Sequence, residues 1–128
     1  MNGNGNIIAR VTLASESIPV KDAVVTATTM KEDKQIFLGT RRTDENGKTT
    51  LIEVETPDIE YSLEPENSVK PYTSVDIRVD HPSAYTVIIR NVQVFSDNTS
   101  LVNVSLIPLR EGIDEGEQEI IEITSQNL

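Results

Sequence analysis

The sequence predicts an all-β protein: an antiparallel Greek-key sandwich of about seven strands. Three observations predict it. Apolar residues recur with period two along most of the chain, and β-branched residues dominate them. Turn-forming clusters interrupt that alternation roughly every 8–12 residues, the usual spacing of sandwich strands. Between residues 6 and 109 no stretch repeats its apolar residues with the 3.6-residue period of an amphipathic helix.

The elements follow in order. Ile7 to Leu13 alternates, placing Ile7, Ala9, Val11 and Leu13 on one face. Ser15 to Asp22 is polar and contains Pro19, so it reads as a loop. Ala23 to Thr29 is a second strand and Lys31-Glu32-Asp33-Lys34 a charged turn. Gln35 to Arg41 is a third strand, with Ile36 and Leu38 on one face and Phe37 on the other. Asp44-Glu45-Asn46-Gly47 is the strongest turn signal in the chain and predicts a hairpin into a fourth strand, Lys48 to Glu55. Thr56 to Pro71 holds three prolines, which cannot donate to a ladder, so it reads as a long connection. Thr73 to Asp80 alternates most cleanly, with Val75, Ile77 and Val79 inward. His81-Pro82-Ser83-Ala84 turns the chain. Tyr85 to Phe95 is a strand with a break near Asn91, and Tyr85 is expected in the core. Leu101 to Ile107 is the last sandwich strand, with Val102, Val104 and Leu106 sharing a face.

The boundaries implied are a flexible N-terminus over 1–5, a sandwich over 6–110 and an acidic segment over 111–128. That last segment has six acids and no base, and carries −6 of the formal net charge of −10. Within it, Glu119 to Thr124 is apolar enough to form a strand on a sheet edge. The segment reads either as an acidic tail or as a docking strand that binds a partner by β-augmentation through Ile120, Ile121, Ile123 and Leu128.

Composition narrows the chemistry. With 21 acids against 11 bases, the surface repels phosphate backbones and anionic lipid, which argues against nucleic-acid binding. No apolar run reaches the ~18–20 residues of a membrane span, and the N-terminus lacks the pattern of a signal peptide, so synthesis in the cytoplasm is expected. There is no Cys and one His, His81, placed in a turn. The outward carboxylates Glu53, Glu55, Asp76 and Asp80 read as a solubilising face. Arg10 occupies the first strand's polar face, so Asn103 has no obvious lysine for a covalent cross-link. No nucleophile elbow, zinc-binding pair, phosphate loop or dinucleotide fingerprint occurs. The expectation is a protein that is not an enzyme and needs no cofactor.

Ile18-Pro19-Val20-Lys21-Asp22-Ala23-Val24-Val25, then Thr43-Asp44-Glu45-Asn46-Gly47, then Pro71-Tyr72 through Val79 and Ala84-Tyr85 together resemble carboxypeptidase regulatory-like domains. Ala84 stands where those domains usually carry glycine. The resemblance spans roughly residues 5 to 109 and implies a transthyretin- or prealbumin-like sandwich. The runs Thr56-Pro57-Asp58, Lys70-Pro71-Tyr72, Val92 to Phe95 and Leu106 to Leu109 look like the sandwich domain that accompanies clostridial peptidoglycan-binding and spore cortex-lytic proteins. That likeness implies an accessory module making protein or cell-wall contacts beside a wall hydrolase. The alternative is a structural subunit of a phage virion, contractile injection particle or spore coat. The partner is then another protein or a further copy of the chain, and the final site the spore, the cell envelope or a phage-like particle.

Overall fold

The computed structural model describes residues 3–13, 18–57 and 72–109, and the backbone of 120–124. Among the described residues nine strands occur: β1 (Gly3–Leu13), β2 (Ile18–Pro19), β3 (Val24–Lys31), β4 (Lys34–Arg42), β5 (Ile52–Thr56), β6 (Tyr72–Asp80), β7 (Thr86–Phe95), β8 (Thr99–Leu106) and β9 (Ile120–Thr124). β2 is only two residues long, which leaves eight of ordinary length. They form a two-sheet sandwich, as the alternation predicts.

In the first sheet β1 is central. β8 lies along one side of it from Asn6 to Leu13, and β5 and β2 share the other side. The second sheet has the order β4-β3-β6-β7-β9. Two pairs depart from the antiparallel expectation, since β1 with β8 and β7 with β9 are parallel. β1 also begins at Gly3, so residues 3–5, expected as flexible chain, are paired with β5. Glycine is required there. A Cβ on Gly5 would stand 2.4 Å from the Phe95 carbonyl oxygen and 2.6 Å from Val94.

The core is the inward set of both sheets. Ile7, Ala9 and Val11 of β1 meet Val75, Ile77 and Val79 of β6, with Val102, Val104 and Leu106 of β8 closing one side; all are buried. Leu13 is only partly buried and packs against this cluster. Tyr85 is buried.

The β3–β4 turn places Glu32 and Asp33 at φ 53° and 64°, the conformation of a two-residue type I′ hairpin, with Lys31 and Lys34 paired across its base. The break near Asn91 is a β-bulge. Val75 pairs with Val92 but Ile77 with Ile89, so Arg90 and Asn91 together oppose Asp76. The extra residue shifts the inward set of β7 from Val87 and Ile89 to Val92 and Val94. Asn91 takes φ 62°, which asparagine tolerates. The Asp76 carboxylate secures the bulge by accepting from the Asn91 N–H at 3.1 Å and from Arg90 at 3.0 Å. The Arg90–Asp76 pair is partly exposed and contributes little alone. Asp76→Ala is expected to cost about 1–2 kcal/mol, chiefly through the bulge N–H, read as a lower urea midpoint at unchanged slope.

The Asp44–Gly47 turn forms, but it joins two sheets. β4 pairs with β3 in one sheet and β5 with β1 in the other. Locally the chain reverses as a hairpin does. Gly47 N–H donates to the Asp44 carbonyl and Asp44 N–H to the Lys48 carbonyl, both at 2.9 Å. The Asp44 carboxylate accepts from the N–H groups of Asn46 and Lys48. The expected strand from Lys48 is delayed to Ile52, because Lys48 makes only an isolated bridge to Arg10. The corner is stitched to both sheets. Val11 N–H donates to the Gly47 carbonyl at 2.7 Å, and Thr49 N–H to the Ala9 carbonyl at 2.9 Å. The buried Thr43 hydroxyl accepts from Ala23 N–H and donates to the Val20 carbonyl.

Candidate functional site

The segment singled out for docking is part of the sandwich's edge. β9 pairs in parallel with the first half of β7, with Thr86 opposite Ile120 and Arg90 opposite Thr124. Its seat is prepared by the chain leaving β8. Tyr85 N–H donates to the Ile107 carbonyl, Leu109 N–H donates to the Ser83 carbonyl, and Ala84 bridges Pro108. Leu109 is therefore held beside the entry to β7, close to where β9 begins. Of the residues expected to bind a partner, Ile120, Ile121 and Ile123 lie in β9, and Leu128 lies outside the described residues. Backbone pairing of this kind satisfies the N–H and C=O groups on the edge of β7, and it depends little on side-chain identity.

Of the other candidate residues, His81, Asp80, Asp76 and Arg10 have local partners. His81 accepts the Ser83 N–H at Nδ1, 3.1 Å away, and so closes its own turn. Asp80 binds Arg78 and accepts the hydroxyl of Thr86. Glu53 and Glu55 are exposed on β5. Arg10 stands in register with Asn103 on β8 and bridges Lys48. Among the described residues, no group of three or more His, Cys, Asp or Glu could hold a metal ion. Of the aromatics, Phe37 is 64% exposed. Tyr72 and Phe95 form a tilted cross-strand pair with ring centroids 5.6 Å apart.

Two surface features escaped sequence reasoning. One is an open cleft of about 690 Å³ between β5 of the first sheet and β3, β4 and β6 of the second, walled by Met30, Ile36, Leu38, Val54, Thr56 and Tyr72. The Thr56 hydroxyl beside it is buried and has no hydrogen-bond partner. The second is an apolar row across the outer face of the first sheet. Ile8 is in register with Leu101 on β8, and Leu51 falls one step beyond the Ile7–Ile52 pair on the other side. Leu51 and Leu101 are 50% and 58% exposed. The Ile7-Ile8 doublet, an apolar residue on each face, is the signal that could have pointed to it.

The architecture and its edge define a β-sandwich, and comparison with known proteins places that sandwich among solved structures. No family model and no curated protein matches the chain. Solved structures do. Catechol 1,2-dioxygenase from Acinetobacter sp. ADP1, inhibited by bound mercury, is 11% identical at a TM-score of 0.57, covering 97% of this chain and 59% of that one. Hydroxyquinol 1,2-dioxygenase from Pseudomonas putida DLL-E4 is 9% identical at 0.56, covering 85% and 58%. 3-Chlorocatechol 1,2-dioxygenase from Rhodococcus opacus 1CP is 9% identical at 0.54, covering 85% and 62%. The chain thus spans about three-fifths of the length of these dioxygenases. They overturn the expectation, drawn from the absence of cysteine and of known catalytic motifs, that the chain is not an enzyme, because the sandwich it adopts is one that enzymes use. At such identities the likeness is one of fold alone.

Proposed function

We propose that the chain is a protein-contact module whose working element is the strand β9 and the sheet edge that receives it. The observation that supports this reading is the parallel addition of β9 to β7 after the sandwich has been completed by β8. Strand addition of this kind is a general way to bind an extended segment of another chain, because the ladder supplies affinity without a prior pocket. The likeness to clostridial sandwich domains suggests a wall hydrolase as the partner, with the envelope or spore as the place of action. The same exchangeable strand also suits a subunit of an assembled particle, where it would be donated to a neighbouring copy.

The test is a photo-reactive residue in place of Ile121 in the full chain, irradiated in the cells that make it. A discrete intermolecular product is expected. Its mass separates a wall hydrolase from a second copy. Products confined to the chain itself would reduce β9 to the last strand of the sandwich and end this reading.

A further inference from the structure

We infer that the outer face of the first sheet is a two-fold interface with a second copy of the chain. Register orders that face into rows. The central row is Ile8 with Leu101 beside it on β8, and on the other side Thr50 and Leu51 together, because the register slips by one residue between the Ile7–Ile52 pair and the Arg10–Lys48 bridge. On one side lies a row with Glu53, Asn6 and Thr99; on the other, a row with Lys48, Arg10 and Asn103. The face is thus apolar along its middle, acidic on one flank and basic on the other.

Side-chain direction supports the rows. Ala9 and Val11 are buried, so Arg10 between them points away from the core. The hydrogen bonds that bracket the Arg10–Lys48 bridge, Val11 to Gly47 and Thr49 to Ala9, mark a non-hydrogen-bonded pair, whose side chains share a face. Glu53 is exposed between the buried Ile52 and Val54.

A two-fold axis running along the central row lays that row on itself and exchanges the flanks. Lys48 of each copy then meets Glu53 of the other, and Arg10 meets Asn6. A two-fold axis running along the strands instead sets like flank against like and brings the bases together. Charge pattern therefore selects one orientation. Within one chain Lys48 and Glu53 stand two rows apart, roughly 13 Å at the rise of a strand, too far to pair with each other. Neither makes an ion pair with a described residue. Of the net charge of −10, −6 lies in residues 111–128, so the rest carries only −4 against this contact. The face is three strands wide and sits at the small end of specific interfaces, which makes the dimer reversible. This contact does not depend on β9.

Sedimentation of the full chain from about 1 μM to about 1 mM tests it. A monomer–dimer equilibrium is expected within that span. Leu101→Lys should leave the chain monomeric throughout. Lys48→Glu should weaken the dimer at least tenfold, and Lys48→Glu combined with Glu53→Lys should restore it. All three positions are exposed, and an unchanged thermal midpoint shows that each variant is folded. A monomer at the highest concentration would overturn the interface. So would a dimer indifferent to Leu101→Lys, or a double variant no stronger than Lys48→Glu alone.

Discussion

Thr43→Val is expected to destabilise the sandwich by about 2–4 kcal/mol, although the two side chains have nearly the same shape. The Thr43 hydroxyl accepts from the Ala23 N–H at 2.9 Å and donates to the Val20 carbonyl at 2.6 Å. The site is buried, so water cannot replace either bond. Valine removes the oxygen and leaves both backbone groups unpaired, at about 1–3 kcal/mol for each. Thr43→Ser keeps the oxygen and is expected to recover most of the loss. Urea unfolding of the two variants beside the parent measures the difference. Equal stability of valine and parent would show that the corner is held by its backbone bonds alone.

Gly47→Ala attacks the same corner from the backbone and is expected to cost about 3 kcal/mol or more. Gly47 has φ 76°, a left-handed conformation that costs a residue with a Cβ about 1–2 kcal/mol. A Cβ there would also lie 2.4 Å from the Val11 carbonyl oxygen and 3.2 Å from the Val20 nitrogen. Those atoms belong to backbone that cannot rotate aside. The turn must shift, and with it the bond from Val11 N–H to the Gly47 carbonyl. Thermal unfolding reads the loss, which on a domain of this size is expected to lower the midpoint by about 10 °C or more. Combined with Thr43→Val, the two effects should fall short of additive, because both loosen the attachment of one corner.

The inward faces were legible in the sequence wherever a strand alternates without interruption. Ile7, Ala9 and Val11, then Val75, Ile77 and Val79, then Val102, Val104 and Leu106 are buried as period two requires. The break near Asn91 was legible because two alternating runs meet out of phase there. Pairing partners were not. Turn chemistry acts over four or five residues, so Asp44 to Gly47 encodes the reversal but not where its arms go. That choice belongs to β1, more than thirty residues away, which takes β5 into its own sheet. Alternation is also blind to strand direction, so neither parallel pair could be read. Gly3 and Gly5 have no side chains to alternate, and the start of β1 was hidden for that reason. Of the candidate site, the apolar run from Ile120 revealed the strand. The row through Ile8 depends on three strands lying side by side and appears only once their register is known.

The parallel seam between β1 and β8 sets a condition on biosynthesis. Asn6 waits for Thr99 and Leu13 for Leu106, so one entire edge of the central strand has no partner until more than ninety further residues exist. At about 5–20 residues per second, that interval lasts several seconds, or longer while the ribosome tunnel still holds the last strand. Throughout it the nascent chain exposes an unpaired strand edge that other nascent chains could capture. Closure therefore waits until β8 has emerged from the ribosome, and a stop codon before residue 99 would yield a product with its central strand permanently open on that side.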